Sequence, residues 1–340
     1  MNFGTTPDQE AVQAAARRFL AAEITRERRR AWDATPEGHD AAFWEAVARL
    51  GWFGYGLPRE FGGEGASLLD LGLLVEECGR FVAPFGIFAT IAGGLALAAL
   101  GTPAQKRDWL PAIARGEKRV TLAVAEEAAA ANPAAFRTAV RSRGRGLVVR
   151  GEKRYVLQGV TADAFLVAAR DGRGVSAVLV PAAARGVVVV PARTFARDRQ
   201  CSVRLDDVVL PAAALAGARG TAWPRLERLR RRLATLLCAE MIGGADAVLD
   251  MTARYVSERE QFGVKIGTFQ AVQQMIAGMA IELEGARQGG GAALRVARGV
   301  ARGPGRSAAA RARRPRLSGG VGGAAGLPRD VATQSLPALG

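Results

Sequence analysis

The sequence predicts an α+β multidomain chain, and three observations carry that prediction. Apolar residues recur at helical spacing through the first 118 positions, gather from about Arg119 into short β-branched runs, and return to helical spacing at Trp223. A chain of 340 residues is long enough for two or three domains with sizeable cores. The expected divisions are an N-terminal helical domain over 1–118, a middle β-barrel or sandwich over 119–218, the start of a C-terminal helical bundle over 219–287, and a tail over 288–340.

The totals exclude several classes of function. Cys78, Cys201 and Cys238 are far apart and form no CxxC pair, so neither a disulfide framework nor a zinc site is expected, and a reducing, cytoplasmic setting fits. The one histidine, His39, lies in a polar connector without clustered partners; it is expected at the surface, and no metal is expected. No charged start followed by an apolar run suggests a secretory signal, and the longest apolar run, Phe88 to Leu100, is too short to span a bilayer. The net charge of +15 is concentrated at the end of the chain, where residues 288–340 carry nine Arg and one Asp. That leaves +7 for everything before, so a nucleic-acid surface is not expected on the ordered part.

In chain order, Thr6-Pro7-Asp8-Gln9-Glu10 supplies an N-cap, a first-turn proline and early acids to a helix carrying Val12, Ala15, Ala16, Phe19 and Leu20. The charged run Arg26 to Arg30 reads as a solvated helix face. After a connector over 33–38, a second amphipathic helix carries Phe43, Trp44, Val47, Ala48 and Leu50. The glycines of 51–65 predict a compact, turn-rich loop, and helices follow over 68–81 and 88–100. Strands are expected at 121–124, 147–149, 155–157, 165–168, 177–180, 187–190 and 202–205. Helix returns over 223–257, with Leu226, Leu229, Leu233, Leu236 and Leu237 on one face and Arg228, Arg230, Arg231 and Arg232 on a solvated one. A turn at Arg259-Glu260-Gln261-Phe262-Gly263 then leads into a helix whose dry stripe is Val272, Met275, Ile276, Met279, Ala280 and Leu283.

The turn carries the chemistry. Arg259 offers a planar donor fork suited to paired phosphate oxygens, and Phe262 beside it an aromatic cover. Arg-x-x-Phe-Gly, followed eight residues after the Phe by Gln270, closely resembles the signature of the acyl-CoA dehydrogenase family of flavoproteins. Leu50 to Gly65, the helix after it, Ala83-Pro84, and Gly101-Thr102-Pro103 through Trp109-Leu110-Pro111 to Gly116 resemble that family's N-terminal domain in the same order. The likeness runs over residues 5–287. It implies a helical domain, a middle β-domain and a C-terminal bundle, here truncated after about Arg287, because the Gly/Ala/Arg-rich remainder holds none of the family's closing helices. That remainder reads either as a natural basic tail or as the product of a lost reading frame.

The resemblance implies FAD as cofactor, an acyl-CoA substrate, electron-transfer flavoprotein or a similar acceptor, and a homo- or hetero-oligomer. Arg259, Phe262 and Gln270 would reach the FAD of a neighbouring subunit. Tyr155 takes the place of an aromatic stacked beside the flavin, Leu157 a place where a hydroxyl is common, and Glu126 is what remains of a Thr-Glu-Pro motif. The family reaction, α,β-dehydrogenation of a thioester, needs a carboxylate base. That base lies beyond this chain's end or, in some members, where Leu233 stands, so none is named; Glu227 and Glu240 are expected in surface or capping roles. A non-catalytic partner subunit, and a nucleic-acid binder acting through the tail, are the alternatives.

Overall fold

The computed structural model describes residues 5–127, 132–196 and 198–299. Six helices come first: α1 (Pro7–Glu23), α2 (Arg26–Asp33), α3 (Ala41–Arg49), α4 (Leu68–Arg80), α5 (Gly86–Leu100) and α6 (Pro103–Ala114). Their starts are written in the sequence. Thr6, Ser67 and Thr102 each close a capping box with the residue three places on, which satisfies two otherwise orphaned amides per helix. α5 is apolar all round because it is buried all round, and Gly93 lets its backbone close on Val120, where a Cβ would stand 1.6 Å from the carbonyl oxygen.

The middle of the chain forms β1 (Val120–Ala123), β2 (Ala139–Arg143), β3 (Gly146–Leu157), β4 (Ala164–Asp171), β5 (Gly174–Pro181), β6 (Val187–Pro191), β7 (Gln200–Pro211) and β8 (Leu215–Ala216). They make one mixed sheet in the order β6-β7-β3-β2-β4-β5-β8, with β1 parallel to β4. On β4 the two-residue period divides the side chains between two cores. Phe165, Val167 and Ala169 enter the sheet's own core, while Ala164, Leu166 and Ala168 face the helices. This double burial fixes the sheet against α5.

Two long helices follow, α7 (Trp223–Glu258) and α8 (Gln270–Gly299), joined by the hairpin β9 (Glu260–Gln261) and β10 (Val264–Lys265). α7 crosses α4 at glycines. A Cβ on Gly79 would meet the Glu240 carbonyl at 1.9 Å, and one on Gly243 the Glu76 carbonyl at 1.8 Å, so each helix gives the other a bare strip of backbone. α8 carries on past Arg287, because Leu294 is buried over Gly72 of α4 and Arg287 pairs with Glu76 and Asp246. Residues 300–340, the rest of the expected tail, lie outside the described residues.

Several expectations are corrected. His39 is buried, stacked on Trp44 with ring centroids 4.6 Å apart, and burial together with nearby Arg119 holds its imidazole below the usual value. The run 26–30 is not simply solvated: Arg28 bridges Glu23 and Asp40, and Arg29 donates to the Phe81 carbonyl. Leu50, expected on an apolar face, ends its helix and is exposed. The segments 147–149 and 155–157 are one strand, β3, which passes its polar middle through two bulges.

Candidate functional site

The sheet, α5 and α7 enclose a recess of about 380 Å³. Its walls are Thr121 and Val124 at the end of β1, Tyr155 and Leu157 at the end of β3, Phe88, Ala89 and Ala92 on α5, and Trp223, Leu226, Leu233 and Leu237 on α7, with Arg154 and Arg230 also lining it. Mostly apolar walls suit an extended apolar ligand, and the two arginines are already paired, Arg154 with Glu127 and Glu152 and Arg230 with Glu227. No Asp or Glu is among these lining residues.

The second bulge of β3 shapes the wall. Between Lys153 and Val156 the register shifts, Tyr155 takes φ 57°, and its ring stands 62% exposed instead of entering the sheet core. Leu157 is half-buried beside it. These two of the predicted residues are brought together, and they line the recess.

Glu126 stands behind the wall. Its carboxylate is buried and already engaged: Arg137 N donates to Oε2 at 2.7 Å, Thr138 N to Oε1 at 3.1 Å, and Lys153 Nζ to Oε1 at 2.7 Å. Lys153 is fully buried, also donates to the Val124 carbonyl at 3.0 Å, and lies 4.2 Å from the Phe136 ring centroid. Burial pulls its pKa down to about 8, while the same pairing holds Glu126 below the usual carboxylate range. Phe136 meets Trp223 edge to face at 5.7 Å. Glu126 therefore acts on the recess from behind, by fixing the chain that carries Val124 and Phe136.

Arg259, Phe262 and Gln270 gather elsewhere. Phe262 and Gly263 take φ 58° and 78°, the left-handed pair that a type I′ hairpin turn requires. The turn leaves Phe262 94% exposed, edge-on to Phe269 at 6.3 Å; Arg259 and Gln270 are exposed as well. Along α7 the step from Leu237 to Arg259 covers about 33 Å at 1.5 Å per residue. The hairpin and the recess of one chain are thus far apart.

Sequence reasoning missed three things. The α5 wall had no signal, because a helix apolar on every side carries no phase. Lys153 looked like one charge in a polar strand; only the pairing of β3 beside Glu126 shows its partner. Glu240, expected in a surface or capping role, is half-buried with Oε2 enclosed and without a hydrogen-bond partner, and burial raises its pKa to about 7. Glu227 by contrast pairs with Arg230 and Arg231. Arg232 is not on a solvated face: its Nε is buried without a partner, and burial lowers its pKa.

Glu240 gives a pH dependence. Because its folded pKa lies above the ordinary value of 4.5, the stability it contributes is complete below pH 4.5 and is lost as pH rises through about 7. After allowance for partial solvation, unfolding free energy should fall by about 2 kcal/mol across that window from this group. Urea titrations at several pH values should show that fall, and Glu240→Gln should flatten it; an unchanged slope in the variant would remove Glu240 as the cause.

Among the described residues no group of three or more His, Cys, Asp and Glu stands close enough to hold a metal, and no helix is long and apolar enough to cross a membrane. Family models match the chain in order: acyl-CoA dehydrogenase N-terminal domain over 6–117, middle domain over 121–208 and C-terminal domain over 208–316. The probable acyl-CoA dehydrogenase YngJ of Bacillus subtilis is 30% identical over 310 residues, covering 85% of this chain and 78% of its own length. Acyl-CoA dehydrogenase FadE12 of Mycobacterium tuberculosis is 30% identical over 256 residues, 72% of this chain, and the match spans 66% of FadE12. Among solved structures, a variant of the Tcur3481-Tcur3483 steroid ACAD superposes with a TM-score of 0.77 at 33% identity, over 86% of this chain and 78% of that one. With three domain models in sequence, relatives at this identity and the matching architecture, the chain belongs to the acyl-CoA dehydrogenase family.

Proposed function

We propose that this chain forms the flavin and thioester site of an FAD-dependent acyl-CoA dehydrogenase, an oxidoreductase that introduces an α,β double bond into an acyl-CoA. The observation that carries this reading is the apolar recess with Tyr155 and Trp223 on its walls and Arg154 and Arg230 also lining it. An exposed aromatic ring on a bulged strand, an indole and the leucines of α7 fit a flat tricyclic ring and an acyl chain, so the residues present suit FAD. Bound there, FAD would supply the acceptor for the two reducing equivalents. Tyr155 and Leu157 hold the ring, the buried Glu126–Lys153 pair keeps the adjoining main chain in place, and the leucines exclude water from the thioester.

Arg259, Phe262 and Gln270 belong, in this reading, to the cofactor of a second copy or of a companion subunit. Their exposure and their distance from the recess of their own chain support it. Acyl-CoA is the substrate and a soluble electron-transfer flavoprotein the natural acceptor; a reducing, cytoplasmic setting suits the unpaired thiols. The acyl group can be that of a fatty acid, a branched acid or a steroid side chain, the last in line with the steroid ACAD to which the chain is similar.

One observation favours a second reading. No carboxylate lines the recess among the described residues, so the proton acceptor comes from elsewhere or the chain is a non-catalytic partner in a heteromeric dehydrogenase. Anaerobic titration of the FAD-loaded protein with acyl-CoA separates the two. Bleaching of the flavin spectrum supports the enzyme; bound flavin that does not bleach supports the partner; a preparation that takes up no flavin ends both. Arg259→Ala should weaken FAD retention about tenfold or more, the worth of one charge-assisted contact. Unchanged occupancy in equilibrium dialysis would count against that contact.

A further inference from the structure

Residues adjoining the lining of the recess belong to a second one. On α7 the lining positions Leu226, Arg230, Leu233 and Leu237 advance by four, three and four, and the next position in that series is Glu240. On α5 the lining Phe88 is preceded three residues earlier by Phe85, and on the β-domain Leu157 is followed by Gln158. Glu240, Phe85 and Gln158 together line a second recess of about 300 Å³. Phe88 lines the first and Phe85 the second, and their ring centroids are 5.2 Å apart.

Glu240 is the anomaly of this second recess. Its enclosed Oε2 accepts no hydrogen bond from the protein, and a buried polar atom left unmatched is costly enough to require an explanation. The cations nearby do not supply one. Arg29 donates to the Phe81 carbonyl, and Arg199 to the carbonyls of Trp32, Asp33 and Thr35. From α4, Cys78 and Glu77 bring no positive charge. A ligand reaching this carboxyl along the apolar recess would have to present a neutral polar group, since an ammonium or a second carboxylate would lose its hydration among leucines.

Resting on the acyl-CoA reading above, we propose that Glu240 recognises the far end of the acyl group: the preferred thioester carries a hydroxyl or carbonyl oxygen about 10 Å beyond its reacting carbons, the rise of α7 from Leu233 to Glu240. Phe85 and Phe88 turn aside to admit it, and Glu240 sets specificity without touching the reacting atoms.

Calorimetric binding of 10-hydroxydecanoyl-CoA and decanoyl-CoA to the full chain tests this, because it needs no turnover. The hydroxylated thioester is expected to bind about tenfold more tightly, a site built around a hydrogen bond discriminating against the analogue that lacks it. Glu240→Leu should abolish the preference by improving decanoyl-CoA binding and weakening that of the hydroxylated thioester, while Glu240→Gln, which keeps donor and acceptor, should preserve it. Equal affinities in the unaltered chain, or a preference that survives Glu240→Leu, would overturn the proposal while leaving the acyl-CoA reading standing. Failure of both thioesters to bind would overturn the two together.

Discussion

Lys153→Met is expected to destabilise the protein by about 3–5 kcal/mol, the usual cost of removing one member of a buried ion pair. The methionine fills the space and keeps a contact with the Phe136 ring, so the loss falls on the ion pair and on the bond to the Val124 carbonyl. Glu126 is left buried with the amides of Arg137 and Thr138 but no cation. The companion Lys153→Met/Glu126→Gln should recover most of the loss, because an amide oxygen still accepts from the main chain and no unpaired charge remains. Denaturant unfolding of the two variants gives the comparison. Equal destabilisation in both would mean that Lys153 contributes through its bond to the Val124 carbonyl and not through its charge. Since the pair anchors the chain carrying Val124 and Phe136, flavin uptake in the single variant should fall with stability.

Gly243→Leu should cost at least about 3 kcal/mol, at the upper end for overpacking, because the obstacle is backbone. A Cβ there overlaps the Glu76 carbonyl at 1.8 Å, and neither helix can yield without separating Gly79 from the Glu240 carbonyl as well. The neighbouring Gly244→Ala is the control. Its Cβ would meet only the Gly79 carbonyl, at 3.6 Å, so the higher helix propensity of alanine should leave stability level or raise it by up to about 1 kcal/mol. Thermal and urea unfolding of the pair would show whether the α4–α7 contact is as close as described. If Gly243→Leu were tolerated like Gly244→Ala, it is not.

Much of this fold was legible in the sequence because its signals are local. The capping residue Thr6, and the change from helical spacing to β-branched runs, need no tertiary information. What escaped needed a partner from far along the chain. β2, AVRSR, reads as a polar connector since only Val140 is buried, and it is a strand because β3 lies beside it. His39 looked like a connector residue, yet Trp44 gives it a stacking surface and a buried place. Of the candidate site, Tyr155, Leu157 and the Arg259 turn were expectations implied by the family resemblance. Lys153, the α5 wall and Glu240 were not, because burial of a charged residue is decided by what packs over it.

α7 holds the recess and the Arg259 hairpin about 33 Å apart on one rod. If each finished cradle takes one end from either of two molecules, then no copy is an independent unit of inheritance: a subunit damaged at its hairpin fails its neighbour while its own recess stays sound. Co-expressed with the intact gene, such an allele would spoil one centre per damaged copy, and the loss would fall on whichever neighbour received the faulty hairpin.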